Sequence, residues 1–295
     1  MRARIVFPDP LSPITPTDSP ALTADRLGYH TTLIPELYLN DRKGIHAPSL
    51  EAWALTSAVL AVTQNLRVMT AIRPGFHHLA VAAKQISTLD SIAPGRLALS
   101  TTPFSYDGDF FTLTDTIVEP KLSGELGIFA GGESEQGREA IAGFANAYAM
   151  HGGTVEEIRE KITDMQRRRA AKNLPPLGEF AMSAYVIVRD TEAEAQAELE
   201  RITTVDPDSP GYASFQEFTA NSALDVEVSA CEYAVGTRGL RPHLVGTAEQ
   251  VAEKIRAYEE AGLTLLLIQS SPIEAELERI AAEVFPLVRR TPVTA

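Results

Sequence analysis

Short runs of β-branched and aliphatic residues alternate along this chain with longer segments whose apolar residues recur at helical spacing. This alternation is typical of βα units, in which helices connect parallel strands. We predict eight strands: Ile5–Phe7, Thr31–Pro35, Leu66–Ile72, Leu97–Ser100, Gly127–Ala130, Ala147–Met150, Ala184–Val188 and Thr264–Ile268. The pattern therefore indicates an α/β protein with a parallel sheet.

Capping residues mark the starts of several predicted helices. Ser19-Pro20 has the cap and first-turn proline of a helix start, and Ser49 is a candidate cap for the helix after the second strand. Three pairs have the spacing of a capping box: Thr154 with Glu157, Thr191 with Glu194, and Thr247 with Gln250.

The fourth βα unit is predicted to be short. After Leu97–Ser100 the chain passes through Pro103 and a hairpin-like segment, Asp109–Pro120, directly to the fifth strand, so the helix expected there is missing. A parallel sheet that lacks one of its covering helices exposes apolar surface that a second copy of the chain can cover. We therefore expect a homodimer or a higher oligomer.

Composition narrows the classes of partner. A net charge of -13 argues against nucleic acid and anionic membranes, which bind clustered Lys and Arg. No apolar run reaches the roughly 18 residues of a membrane span, and the N-terminus has no signal-peptide core, so we expect a cytoplasmic protein. We expect no metal site, because the sequence has a single cysteine and no HExxH motif. A small-molecule partner fits best.

Five ordered segments resemble the alkanesulfonate-monooxygenase branch of the bacterial luciferase-like flavin monooxygenases. They are Ala24–Glu36, Ala71–Leu97, Ile128–Ala140, Tyr185–Ala195 and Leu244–Leu263, of which the second, with its RPGFHH motif, is the most specific. The resemblance implies a single (β/α)8 TIM barrel over residues 1–295, with its fourth unit shortened. It also implies a monooxygenase that uses reduced FMN, supplied by a separate flavin reductase, to activate dioxygen.

The resemblance places the FMN phosphate at Gly131-Gly132-Glu133-Ser134, at the end of the fifth strand. Two glycines let the backbone approach an anion, and Ser134 with the first N–H groups of a helix can donate to phosphate oxygens. The alternative is a plain βα turn that Ser134 caps. Glu133 is unexpected, because a carboxylate that faces a phosphate repels it.

The shortened fourth unit bears on cofactor affinity. Ser100 and Thr101 are the cofactor-binding candidates there, and other FMN contacts of the family are absent. If each lost hydrogen bond to phosphate is worth roughly 1.5–3 kcal/mol, FMN binding is weakened.

Strand seven carries Ser183 and Tyr185 on one face, where sulfonate-cleaving relatives carry Arg and His. An anionic sulfonate would lose its anchor, so a largely uncharged substrate is expected. Tyr185 is a candidate catalytic hydrogen-bond donor, and the alternative is a tyrosine that only fills the barrel.

Four further residues are candidates by position in the resemblance. Ser49 and Arg238 are catalytic candidates, the first as a hydroxyl near the reacting oxygen and the second on a mobile lid loop. His77 and His243 are candidates for the wall of the substrate pocket. The alternatives are a helix cap for Ser49, a surface arginine for Arg238 and satisfied polar side chains for the histidines.

Three functions remain open from the sequence. The first is the two-component, reduced-FMN-dependent monooxygenase. The second is a non-catalytic flavin- or ligand-binding barrel or partner subunit, which the replaced strand-seven residues and the short fourth unit favour. The third is a deazaflavin-dependent oxidoreductase on the same fold.

Overall fold

The computed structural model of the protein describes residues 2–6, 19–38, 48–72, 76–97, 104–107, 112–116, 120–121, 123–124, 127–204, 206, 208, 212 and 239–288. Its strands are β1 (Arg2–Val6), β2 (Thr31–Ile34), β3 (Arg67–Thr70), β4 (Phe104–Asp107), β5 (Thr112–Thr116), β6 (Phe129–Gly131), β7 (Ala147–Met150), β8 (Glu179–Val188), β9 (Leu244–Gly246) and β10 (Leu265–Gln269). Its helices are α1 (Pro20–Arg26), α2 (Ala52–Val62), α3 (Leu79–Ile92), α4 (Glu135–Phe144), α5 (Val155–Ala171), α6 (Glu192–Thr203), α7 (Ala248–Glu260), α8 (Ile273–Arg279), the π-helical segment Ile280–Val284 and α9 (Phe285–Val288).

The main sheet is parallel and follows the strand order of a (β/α)8 barrel, β3-β2-β1-β10-β8-β7-β6. These strands are seven of the eight that the sequence predicts. Of the remaining predicted strand, Leu97–Ser100, only Leu97 lies within the described residues. The N–H of Val68 in β3 donates to the carbonyl of Arg96 at 3.4 Å, so Arg96 lies beside β3.

Two features of the sheet differ from the predicted strands. β9 was not predicted, and it pairs in parallel with the end of β8, where Val186 lies opposite Leu244. The hairpin after Leu97 is formed by β4 and β5, so it begins at Phe104 rather than at Asp109. In the described part of 98–126, β4 and β5 are the regular structure.

The side chains of β8 show how the layers are built. Phe180, Met182 and Ala184 point outward into the main core, which the helices complete. Ala181 points to the other side, where it packs with Leu265 and Leu267 of β10. Because successive residues of a strand alternate in direction, β8 is buried on both faces, as expected in a parallel barrel.

Most predicted helix starts are confirmed. Ser19 caps α1 by accepting from the N–H of Leu22, and all three predicted capping boxes are formed, before α5, α6 and α7. The cap predicted at Ser49 is wrong. The Glu51 carboxylate caps α2 instead, because it reaches two free N–H groups at 3.0 and 2.7 Å where a serine two residues earlier is too far away.

None of the described helices has the length and apolar character that crossing a membrane requires.

Candidate active site at the carboxyl ends of the strands

A cavity of about 560 Å³ is lined by residues of β2, β3, β6, β7 and β10. Its described wall is mostly apolar, and it includes Leu33, Trp53, Met69, Phe129, Gly131 and Leu267. In a parallel barrel the carboxyl ends of the strands share one rim, and Ile72 and Gly131 bring that rim into the wall of the cavity. The volume lies in the range of small-molecule and cofactor sites.

The two-glycine turn after β6 is built for close approach of backbone. A Cβ atom on Gly131 would lie 3.3 Å from the carbonyl oxygen of Ala149 in β7, and one on Gly132 would lie 3.2 Å from the Ile141 side chain. The Tyr148 hydroxyl donates to the carbonyl of Gly132 at 2.8 Å, which fixes the turn from below. Burial raises the pKa of Tyr148 to about 12, so this hydroxyl keeps its proton at neutral pH.

Ser134 caps α4, because its Oγ accepts from the N–H of Gly137 at 3.1 Å. The predicted cap is therefore formed, and it leaves the earlier N–H groups of the first turn without intrahelical partners. Such groups and the positive end of the helix dipole favour an anion at this point. A cap and an anion site can coexist at the same turn.

Glu133 is held in an ion pair. Its Oε1 accepts from Nζ of Lys161 in α5 at 2.7 Å, and the two side chains are 21% and 22% exposed. Lys161 compensates the carboxylate charge that would otherwise repel a phosphate at the turn.

α4 is fixed against α5 by a second set of charges. The buried guanidinium of Arg168 donates to Asp164, Glu135 and Glu139 at 2.8 to 3.0 Å. The hydrogen bonds that Arg168 donates, first to Asp164 and then to Glu135, raise its pKa above the ordinary value. This network fixes the start of α4, and with it the turn that carries Ser134.

The predicted pocket residue His77 lies beyond β2 and β3, outside the described wall of the cavity. It contacts two residues that the sequence did not single out, Glu36 and Trp53. Glu36 is 5% exposed, and its carboxylate makes a short hydrogen bond with Nε2 of His77. The His77 ring meets the Trp53 ring edge-on, with centroids 5.9 Å apart. The sequence signal for this group was Glu36, an acidic residue that follows Pro35 at the end of a strand. Its partner His77 is 41 residues away in the chain, so the pairing could not be predicted.

The other predicted site residues lie at several places. Oγ of Ser49 donates to the carbonyl of Leu37 at 3.1 Å, beside the same rim. Ser183 lies opposite Leu267, a residue of the cavity wall. Tyr185 is 6% exposed and packs with Ile187, Ala195 and Val245, away from the described wall of the cavity. Burial raises its pKa to about 12.

His243 lines a separate cavity of about 510 Å³ with Glu192, Glu253 and Lys254, so the structure does not bring it to the wall with Gly131. Burial first, and then Lys254, lower the pKa of His243. Ser100, Thr101 and Arg238 lie outside the described residues, and their predicted roles stay predictions. No three or more His, Cys, Asp or Glu side chains of the described part come together as metal ligands would.

A parallel barrel with a cavity and an anion-type turn at one rim defines the class as a TIM-barrel protein with its ligand site at the strand ends. The sequence profile of the luciferase-like monooxygenases matches residues 13–100 and 98–265, and the chain belongs to this family.

Two relatives and two solved structures illustrate the relationship. The FMNH(2)-dependent dimethylsulfone monooxygenase of Pseudomonas fluorescens (strain Pf0-1) is 30% identical over 288 residues, and that of Pseudomonas putida is 29% identical over 290. Each comparison covers 81% of this chain and 78% of the relative. DmoA from Hyphomicrobium sulfonivorans superposes with a TM-score of 0.77 at 15% identity, over 97% of this chain and 87% of that one.

An F420-dependent secondary alcohol dehydrogenase, in complex with an F420–acetone adduct, superposes with a TM-score of 0.71 at 18% identity, over 98% of this chain and all of that one. These structures share the luciferase-like TIM barrel, which confirms the predicted fold class.

Proposed function

We propose that this protein is the oxygenase component of a two-component, reduced-FMN-dependent monooxygenase. It inserts one oxygen atom of dioxygen into a small, uncharged organic molecule, and a separate flavin reductase delivers the reduced FMN. The observation that carries this proposal is the 560 Å³ cavity that reaches the Gly131 turn in a chain of this family.

The described residues fit the phosphate of FMN. Gly131 and Gly132 leave the turn without side chains, and the capped first turn of α4 supplies N–H donors. Lys161 compensates Glu133, so the turn does not carry an unpaired negative charge. When bound, reduced FMN supplies the electrons that activate dioxygen. Ser100 and Thr101 are proposed as further contacts.

The protein's own residues provide a dry, apolar compartment next to that turn. Leu33, Met69, Phe129 and Leu267 in the cavity wall exclude water, which protects a reactive intermediate from side reactions. Among the described lining residues, Arg67 is the charged one, and it lies at the amino end of β3, where Glu179 faces it at 3.8 Å. A substrate at the carboxyl ends therefore meets no described cationic anchor, which favours an uncharged molecule.

The relatives named above act on dimethylsulfone, a small uncharged molecule of this kind. We therefore propose small sulfones, and molecules of similar size and polarity, as the substrate class. We expect methanesulfonate not to be a substrate, because the apolar cavity would desolvate its negative charge without offering a cationic partner.

The test combines flavin binding with turnover. Anaerobic titration with reduced FMN should give saturable binding, and addition of a flavin reductase, NADH and dimethylsulfone in air should give oxygen-dependent product that methanesulfonate does not give. Binding without turnover of any small sulfone would favour the non-catalytic barrel. Tight binding of reduced deazaflavin with no need for a reductase, and no binding of reduced FMN, would favour the deazaflavin enzyme.

We also propose that the protein is a homodimer. Val81 and Ile92 of α3 and Phe144 of α4 are 54 to 60% exposed, and these two helices precede and follow the fourth unit along the chain. Light scattering should give twice the mass of the chain, and Val81→Lys should shift the protein toward the monomer. A monomer at all concentrations contradicts this.

A further inference from the structure

Arg67 is the charged residue of the described cavity wall, and it lies at the opposite end of the cavity from the Gly131 turn. We propose that its guanidinium forms a distal subsite, which binds an uncharged acceptor oxygen of an elongated ligand whose other end reaches the turn. The acceptor is a carbonyl or sulfone oxygen. This inference rests on the proposed function and deepens it, because it extends the substrate class from small sulfones to longer neutral molecules.

The guanidinium of Arg67 lies inside the barrel and is accessible. Its partner Glu179 begins β8, and β2, β1 and β10 separate β3 from β8 in the sheet, so the two side chains meet across the barrel interior. A Cβ atom on Gly127 would lie 3.1 Å from Nη2 of Arg67 and 2.8 Å from the Phe129 ring. The guanidinium therefore lies against two other residues of the cavity wall. The Arg67 side chain is 24% exposed, so small molecules reach it.

The same guanidinium has spare hydrogen-bond donors. In the part of the chain that the structure describes, its polar contact is the ion pair with Glu179 at 3.8 Å, which is longer than a hydrogen bond. A hydrogen bond to a charged group contributes about 1.5–3 kcal/mol, and an acceptor that enters a mostly apolar cavity finds few other donors. A ligand oxygen beside Arg67 therefore gains affinity.

Glu179 decides between a neutral and a charged ligand. Its carboxylate already balances the charge of Arg67, so a ligand carboxylate would bring an uncompensated negative charge into the apolar cavity and close to Glu179. A ketone or a sulfone presents an acceptor without that charge. The ion pair therefore favours uncharged ligands, in agreement with the uncharged substrate proposed above.

The separation of the two ends sets the length of the ligand. The guanidinium lies at the level of Gly127, and the extended chain from Gly127 to Gly131 spans about 13 Å. An extended chain advances about 1.2 Å per bond, so about ten bonds bridge the cavity. Dimethylsulfone is too short to contact both ends, whereas 2-decanone is long enough.

Calorimetric titration of the flavin-free protein with 2-decanone tests the subsite and requires neither flavin nor turnover. The ketone should bind with saturation, and decanoate, which has the same chain length and a negative charge, should bind about tenfold more weakly or worse. Arg67→Met keeps an apolar stem and loses the donors. It should weaken 2-decanone binding about tenfold or more, the equivalent of one hydrogen bond to a charged group, and change the KM for dimethylsulfone less than about twofold.

Two further variants separate ligand binding from a structural role. Glu179→Gln removes the carboxylate and retains Arg67, so it should strengthen decanoate binding about fivefold or more and change 2-decanone binding much less. Gly127→Ala places a Cβ atom against the guanidinium and should weaken 2-decanone binding with both charges intact. The matched control is Arg26→Met, since the ion pair of Arg26 with Glu278 is exposed, and it should change neither affinity.

The outcomes distinguish this inference from the proposed function. Unchanged affinity for 2-decanone in Arg67→Met, or decanoate binding as tight as that of the ketone, overturns the inference and leaves the function standing if dimethylsulfone is turned over. Binding of 2-decanone that depends on Arg67, without turnover of any substrate, leaves the subsite standing and overturns the function. No saturable binding of 2-decanone up to its solubility limit also overturns the inference.

Discussion

The ion pair between Lys161 and Glu133 makes a quantitative prediction at the Gly131 turn. Lys161→Met removes the cation, and the carboxylate of Glu133, which is only 21% exposed, loses this ion pair. A fully exposed pair is worth about 0–1 kcal/mol, and a hydrogen bond to a buried charge about 1.5–3 kcal/mol. This pair, at 2.7 Å and about one-fifth exposed, lies between these cases, so we expect a loss of about 1–2 kcal/mol.

The substitution should also weaken flavin binding. The uncompensated carboxylate repels a phosphate at the turn, and about 1 kcal/mol of screened repulsion corresponds to roughly a fivefold weaker affinity for reduced FMN. Glu133→Gln in the same chain removes that charge, so the double variant should recover both the FMN affinity and part of the stability.

The assay is a double-mutant cycle of Lys161→Met and Glu133→Gln, with urea unfolding and anaerobic FMN titration of all four proteins. Lys172→Met is the matched control, because Lys172 pairs with Glu139 at the exposed far end of α5. The control should cost less than about 0.5 kcal/mol and leave FMN affinity unchanged. Additive unfolding energies refute the coupling, and unchanged FMN affinity in Lys161→Met refutes the placement of the phosphate.

Three further predictions concern other parts of the barrel. Asp25→Ala should lower the free energy of unfolding by about 3 kcal/mol in urea titrations, because the carboxylate accepts from three backbone N–H groups, including that of Leu66, at 2.7 to 2.9 Å. A loss below about 1 kcal/mol contradicts this prediction. Tyr185→Phe should leave kcat within about twofold, since the side chain packs away from the described cavity wall; a loss of tenfold or more would restore its predicted catalytic role. Burial raises the pKa values of Tyr148 and Tyr258 to about 12, so the folded protein retains these protons longer than the unfolded chain, and stability should fall as pH rises from about 10 toward 12; a flat profile of unfolding energy over that range contradicts it.

The repeating βα pattern could be predicted because its signals are local. Capping boxes at Thr154, Thr191 and Thr247 set helix starts within a few residues, and the structure forms all three. β9 escaped prediction because three residues carry no periodicity, and its pairing with β8 joins segments 58 residues apart at Val186 and Leu244. The cap of α2 was placed at the wrong residue, because Ser49 and Glu51 both have the right chemistry and only the backbone path decides between them.

The candidate site also has a part that the sequence predicted and a part that it did not. The turn from Gly131 to Ser134 is a contiguous motif, and the sequence alone indicated both its glycines and its cap. Whether Glu133 opposes an anion depended on Lys161, which is 28 residues away on another helix. The pairing of Glu36 with His77 likewise requires β2 and β3 to lie side by side in register.

The amino-acid sequence by itself determined the alternation of strands and helices, the starts of most helices and the glycine turn at the end of β6. These properties follow from interactions between residues a few positions apart, which the order of residues specifies directly. The tertiary structure decided which strand ends share a rim, which charges are compensated and which cationic side chain, that of Arg67, lies in the described wall of the cavity. Those outcomes depend on the distances between segments that are remote in the chain, and packing of the whole barrel sets these distances.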